Sequence, residues 1–354
     1  MCLSKHHEYC RAATRAGLHY VTDDSAGITR CRAGKGWSYR DAEGARIADS
    51  ATRKRFGALA IPPAWTDVWI CPDPDGHIQV TARDVRGRKQ YQYHPSYRAA
   101  RDQTKFRHMF AFSEILPMVR ERVERDLRAR KQSRRQLLAS VVWLLDKTLI
   151  RVGNDEYTRA NHSYGLTTLR SKHVRVKGTL LSFSFRGKSG VERLVAIDDL
   201  RLARIVQQCQ ELHGQEIFQY LDAFGKHKPI ESGDVNEYLR KVSGRNITAK
   251  DFRTWGGTMT AAVALRTMGP AASRSEADGN ILHALDAAAE RLGNTRAVCR
   301  KYYVHPALLS AYHLGHTAPH SDVPETHNAL HEMSHASLRR DERVILDFLH
   351  ASAV

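Results

Sequence analysis

The chain has 354 residues, long enough for two domains, and 42% of them are hydrophobic, enough to bury a packed core. Lys and Arg outnumber Asp and Glu by 55 to 38, a formal charge of +17 that points to a polyanionic partner. The basic residues recur along the whole length, which favours a folded positive surface over a disordered basic arm. The six cysteines (Cys2, Cys10, Cys31, Cys71, Cys209 and Cys299) form no CxxC pair and no zinc spacing, so they read as reduced thiols. The first residues, MCLSKHHEYCRAATRAG, lack the apolar core of a secretory signal. No apolar run approaches the roughly 20 residues that span a bilayer. The expected location is the cytoplasm, on the nucleoid if the host is bacterial.

In chain order, residues 20–98 are predicted to be strand-rich. Short segments such as ITRCRAG, GWSYRD, VWICP and HIQVTARD are separated by Gly, Asp and Pro turns. From about residue 103 the texture becomes helical. SRRQLLASVVWLLDKTLIR sets Leu137, Val141, Leu144, Leu145, Thr148 and Leu149 on a broad apolar face, and Gly153 is the expected helix stop. HVRVKGTLLSFSFRGKSGVERLVAID then alternates apolar and polar residues on both sides of Gly187-Lys188-Ser189-Gly190, a hairpin with a lysine at its tip. Thr248 and Asp251 form a capping box, and the helix they open is expected to carry Arg253 in its first turn. The segment after about residue 315 is His-rich and ends in the amphipathic DERVILDFLH. The expected fold class is α+β. A small β-rich N-terminal domain (residues 1–98) precedes a larger, mainly helical domain (residues 99–354) that contains a β-hairpin or small sheet.

Transfer of a phosphodiester to a protein oxygen needs a nucleophile, positive charge on the non-bridging oxygens and a proton for the leaving oxygen. The sequence offers each. Arg151 follows a core-like helix, so its backbone is expected to be rigid while its guanidinium points outward as an always-charged fork. Arg253 lies beside the second element terminus. Lys188 sits on a turn that can approach a substrate, and a lysine there can act as a proton donor. Tyr302 and Tyr303 are rival nucleophiles, because helical neighbours point about 100° apart and only one can face a pocket. In GRKQYQYHPSYR, Arg and Lys interleave with Tyr91, Tyr93 and Tyr97, a pattern suited to phosphates, sugars and bases. His331-Glu332-Met333-Ser334-His335 fits HExxH, but no third ligand context follows, so a metalloprotease is disfavoured.

Several motifs occur together in order: RVGN and GLTTLR around Arg151 and Arg170, KDFRTWGGT around Arg253, and CRKYYVHP around Tyr303. With them the chain resembles the type IB DNA topoisomerases, of the small kind found in poxviruses and bacteria, from about Ile61 to Pro306. The resemblance implies that Arg151 and Arg253 are catalytic, that Lys188 protonates the leaving 5′ oxygen and that Tyr303 rather than Tyr302 is the nucleophile. It implies that Tyr91 and Tyr93, in the QYxYH-like motif, touch the DNA backbone. Tyr157 and Lys250, beside the two arginines, are further candidate phosphate contacts. IPPAWTDVWI also resembles the N-terminal domain of the family and reads as packing.

One position departs from the pattern. Many members carry a histidine nine residues before the tyrosine; here it is Asn294, whose amide can donate a hydrogen bond to a phosphate oxygen but cannot shuttle a proton. The activity implied is relaxation of supercoiled duplex DNA through a 3′-phosphotyrosyl intermediate, by a monomer closing as a clamp, with no ATP and no obligatory metal. Two alternatives share part of the pattern. A tyrosine recombinase uses the same Arg, Lys, Arg, Tyr chemistry, though GLTTLR and the β-rich N-terminal region stand against it. A DNA-binding protein without catalysis would use the basic face alone.

Overall fold

A computed structural model describes residues 2–129, 132–211, 216–222, 224–319 and 338–352. The chain divides into two compact units, Met1–Arg107 and His108–Val354. The division falls inside a continuous helix, whereas the sequence reading places the join at 98/99.

The first unit begins with α1 (Cys2–Arg15), followed by β1 (Ile28–Ala33), β2 (Gly36–Arg40), α2 (Ser50–Ala58), β3 (Thr66–Ile70), β4 (Ile78–Arg83) and β5 (Lys89–Tyr93). The strands form an antiparallel sheet in the order β2-β1-β3-β4-β5. Its core joins Ile28, Val68, Ile70, Val80 and Ala82 to Phe56 of α2. Ile61 and Trp65 pack on the rim of that core. The carbonyls of Ile61, Pro62 and Trp65 all accept from the Arg30 guanidinium, so this stretch is a packing element as its sequence suggests. A smaller cluster gathers Ala13, Leu18 and Tyr97. Tyr97 is therefore a core residue, unlike its neighbours in the tyrosine motif.

The helix α3 (Pro95–Leu127) leads into the second unit. There follow α4 (Arg134–Thr148), α5 (Asp155–Asn161), β6 (Val174–Lys177), β7 (Leu180–Arg186), β8 (Glu192–Asp198), α6 (Leu200–Gln210), β9 (Gln219–Leu221) and β10 (His227–Pro229). Then come α7 (Ser232–Ser243), α8 (Ala249–Met268), α9 (Arg274–Leu292), α10 (Arg296–Tyr302), α11 (Pro306–His313) and α12 (Arg340–Ser352). The expected hairpin is present as β7 and β8, widened by β6 into a three-stranded sheet. The helix α4 is buried on every face from Gln136 to Leu145, not on one broad stripe, so it is the central rod of this unit. Ser133 caps it by accepting from the Gln136 N–H. The HExxH segment lies outside the described residues, and among those described no group of acidic, His or Cys side chains is arranged to hold a metal.

Helix α12 is fixed to the core by charge. Arg120 of α3 pairs with Asp146 of α4 at 3.0 Å and with Glu342 of α12 at 2.7 Å. Trp255 of α8 donates to the same Glu342 carboxylate at 3.0 Å. Burial favours the neutral acid, but the hydrogen bonds and charge of Arg120 outweigh it and hold the Glu342 carboxyl below its ordinary 4.5. This stabilisation is fully present above that ordinary value and is lost as pH falls through the lowered one. Removing Glu342 leaves Arg120 with Asp146 but without its α12 partner and takes the acceptor from the Trp255 N–H. Glu342→Ala is accordingly expected to lower unfolding free energy at neutral pH by about 3–5 kcal/mol. An unchanged urea midpoint would show that the pairing does not anchor α12.

Candidate active site

The segment around Arg151 is built by a tight stop and a backbone clamp. Helix α4 ends at Leu149, which adopts the left-handed conformation (φ 55°, ψ 18°). The stop thus comes before Arg151, not at Gly153. Gly153 (φ 109°) instead lets the chain lie against Gly165, where an added Cβ would come within 2.5 Å of the Arg151 carbonyl oxygen. That carbonyl accepts from the Leu166 N–H at 2.8 Å, and the Val152 carbonyl accepts from the Thr167 N–H at 2.6 Å. GLTTLR is therefore the strap that holds the Arg151 backbone. Its guanidinium does not point outward as expected. It is half-buried and turned to the end of α9.

Helix α8 opens with the expected capping box, the Thr248 N–H donating to Asp251 at 2.7 Å. Arg253 is the fifth helical residue, so it lies at the start of the second turn rather than in the first. It is only 4% exposed. Its two terminal nitrogens donate to the carbonyls of Leu149 and Leu292. Gly256, one turn on, makes this approach possible, since a Cβ there would come within 2.4 Å of the Leu149 side chain.

The two arginines meet at the C-terminal end of α9. Gly293 caps that helix in the left-handed conformation (φ 59°, ψ 54°). The freed carbonyls carry the negative end of the helix dipole. Arg253 takes the carbonyl of Leu292 at 3.0 Å and Arg151 that of Gly293 at 3.2 Å. Arg193, from β8, takes those of Glu290 and Arg291 at 2.6 and 2.8 Å. Asn294 follows directly, its Oδ1 accepting from Arg151 at 2.5 Å. Its Nδ2 is buried and finds no acceptor among the described residues; the same holds for Arg253 Nε. Burial, then the charge of Arg253, pulls the Arg151 pKa down to about 10, still far above neutrality.

Tyr303 stands at the C-terminal end of α10, its N–H donating to the Cys299 carbonyl at 2.9 Å. Thr258 of α8 fixes the backbone on both sides: its hydroxyl donates to the Tyr303 carbonyl at 3.0 Å and accepts from the His305 N–H at 3.1 Å. Gly257 lies beneath, where a Cβ would come 3.2 Å from that of Tyr303 and 2.9 Å from Leu292. The Arg253 guanidinium is 5.2 Å from the centre of the Tyr303 ring. Burial would raise the phenol pKa. The charge and hydrogen bonding of Arg253, then the charges of Arg151 and Lys250, outweigh it and bring the pKa below the ordinary 10. Tyr302 is 39% exposed, with the Lys301 ammonium 5.3 Å from its ring. Of the adjacent pair, Tyr303 is the one set among the arginines.

The remaining expected residues fall elsewhere. Lys188 is exposed on the turn between β7 and β8, where Ser189 (φ 64°) and Gly190 (φ 79°) take left-handed conformations. Lys250 is exposed in the first turn of α8 and acts on Tyr303 through its charge. Tyr157 belongs to α5, and its side chain lies outside the described ones. In the first unit, Tyr91 and Tyr93 occupy one face of β5, their rings stacked with centres 6.1 Å apart. Tyr91 is 44% exposed and Tyr93 half-buried. Arg193 and Thr258 were not singled out in the sequence. Arg193 reaches a helix 97 residues away, and no local pattern distinguishes it from other strand arginines.

Comparison with known proteins identifies the family. Residues 94–327 match the family model described as the catalytic core of eukaryotic DNA topoisomerase I. Residues 36–84 match that of the N-terminal domain of bacterial DNA topoisomerase IB. The chain is 30% identical over 294 residues to DNA topoisomerase 1B of Acanthamoeba polyphaga mimivirus, covering 81% of this chain and 87% of that one. It is 24% identical over 183 residues to DNA topoisomerase 1 of Mycosarcoma maydis, covering 47% of this chain but 18% of that larger protein. With a Tyr303 phenol set among arginines and both segments matched in order, the chain belongs to the type IB DNA topoisomerases.

Proposed function

We propose that Tyr303 attacks a phosphodiester of duplex DNA, supported above all by its phenol lying against Arg253 with its pKa drawn below 10. Tyr303 gives up its phenolic proton to solvent and attacks as the phenolate; a Tyr303 Oη–P bond forms, the P–O5′ bond breaks, and the 3′ phosphate stays on the protein. Arg151 and Arg253 bind the non-bridging oxygens, where negative charge grows in the transition state. The unpartnered Nδ2 of Asn294 donates to one of the same oxygens. Lys188, carried on its turn, gives a proton to the leaving 5′ oxygen, and it takes the proton back when that hydroxyl reseals the strand. The intermediate conserves the linkage, so no ATP is consumed, and the positive charge comes from guanidinium groups rather than an obligatory metal. While one strand is open, the duplex rotates and supercoils relax. Lys250, Tyr157, Tyr91 and Tyr93 contact the backbone, and a monomer closes around the duplex as a clamp.

Denaturing a reaction on radiolabelled duplex is expected to recover label on the wild type and on Tyr302→Phe, but none on Tyr303→Phe. Label on another residue overturns the assignment. Asn294→Ala is expected to slow single-turnover cleavage about a hundredfold while leaving DNA affinity nearly unchanged. Cleavage at full rate would remove Asn294 from the reaction.

The pH dependence follows from the lowered pKa. Tyr303 ionises earlier than an ordinary tyrosine as pH rises, and Arg253→Ala should move its ionisation upward. The signal is the tyrosinate absorbance difference between each protein and its Tyr303→Phe counterpart, needed to isolate one of 13 tyrosines. A Tyr303 transition that stays put without Arg253 contradicts the electrostatic account.

A further inference from the structure

The structure assigns Arg193 as a positioning residue that joins the Lys188 turn to the end of α9; this rests on the reading of Lys188 as the proton donor. Two glycines show how the connection is made. Gly187, immediately before Lys188, lies so close that an added Cβ would come 3.2 Å from Arg193 Cγ. Gly293, immediately before Asn294, lies so close that a Cβ would come 2.9 Å from Arg193 Nη1. The Arg193 side chain therefore runs from the root of the lysine turn to the root of the asparagine. Its fork closes the path by donating to the carbonyls of Glu290 and Arg291 at 2.6 and 2.8 Å.

Two backbone hydrogen bonds shape the turn itself. The Gly187 N–H donates to the Val191 carbonyl at 2.7 Å, and the Gly190 N–H to the Gly187 carbonyl at 3.1 Å. These bonds shape the loop but do not say where it points. A planar fork on two consecutive carbonyls fixes direction as well as distance, which a point-charge ammonium does less well. Arg193 also adds its charge to the cluster, being among the groups that lower the Arg151 pKa. The two effects predict different chemistry, because only the first acts on the leaving group.

The test replaces the scissile 5′ oxygen by sulfur in a duplex cleaved once. A thiolate, with a conjugate-acid pKa of about 8.5, departs without a proton, so the P–S bond breaks with no general acid. Arg193→Met keeps the apolar stem and removes the fork, and Arg193→Lys keeps the charge. A thermal melt identifies which of the two is folded, and the folded one carries the test. On the oxygen duplex each is expected to cleave about thirtyfold slower than wild type. On the sulfur duplex each should return to within about threefold of it, as should Lys188→Ala. Equal slowing on both duplexes, or full-rate cleavage of the oxygen duplex, overturns the positioning role. Lys188→Ala that stays slow on sulfur overturns the proton-donor reading instead.

Discussion

The site depends on the exposed carbonyls at the C-terminal end of α9. Three guanidinium groups that repel one another are anchored there, Arg253 on Leu292, Arg151 on Gly293, and Arg193 on Glu290 and Arg291. A helix C-terminus is suited to this because its last carbonyls have no partners in the helix and carry partial negative charge. They neutralise the arginines only in part. Burial and the neighbouring Arg253 charge lower the Arg151 pKa to about 10, so keeping the group charged there costs free energy. A phosphate entering the pocket relieves that cost, and the extra charge of its transition state relieves it further. The cation cluster is thus tuned to an anion by being incompletely satisfied without one.

The same end of α9 explains the paired glycines of WGGT. Gly256 admits the Leu149 side chain, whose carbonyl takes one arm of Arg253, and Gly257 admits Tyr303 together with Leu292. Two successive residues without side chains thus let α8 approach both the turn before Arg151 and the backbone of Tyr303. Glycine inside a helix costs about 1 kcal/mol relative to alanine. Here that cost is offset by bringing three chain segments to one point. Thr258 completes the contact by bridging the Tyr303 carbonyl and the His305 N–H.

What could be read in the sequence was mostly local. The capping box at Thr248, the turn at Gly187–Gly190 and the alternation of β7 and β8 are each set by a few adjacent residues, and they appear where expected. The end of α4 was misplaced because Gly153 looked like a stop, whereas a leucine takes the left-handed position. Leu149 can do so because its side chain is buried against Gly256, a partner more than a hundred residues on, which no local pattern shows. The inward direction of Arg151 and the involvement of Arg193 were hidden for the same reason. Both depend on carbonyls of a helix distant in sequence. The choice of Tyr303 over Tyr302 came from the resemblance alone, since their different settings, Tyr303 against Arg253 and Tyr302 toward solvent, depend on a distant helix.

Asparagine at position 294 fits this arrangement better than its departure from the usual histidine suggests. An amide has fixed polarity, one end accepting and the other donating. Oδ1 is already committed to Arg151, so Nδ2 must face the other way, and it does so without an acceptor among the described residues. A histidine with an ordinary pKa near 6.5 changes charge around neutrality, so the charge it presents to a phosphate depends on pH. Asn294 cannot titrate. Its donor persists over the whole range in which Arg151 and Arg253 stay charged, so in the reaction proposed for this site proton transfer falls to Tyr303 and the Lys188 turn.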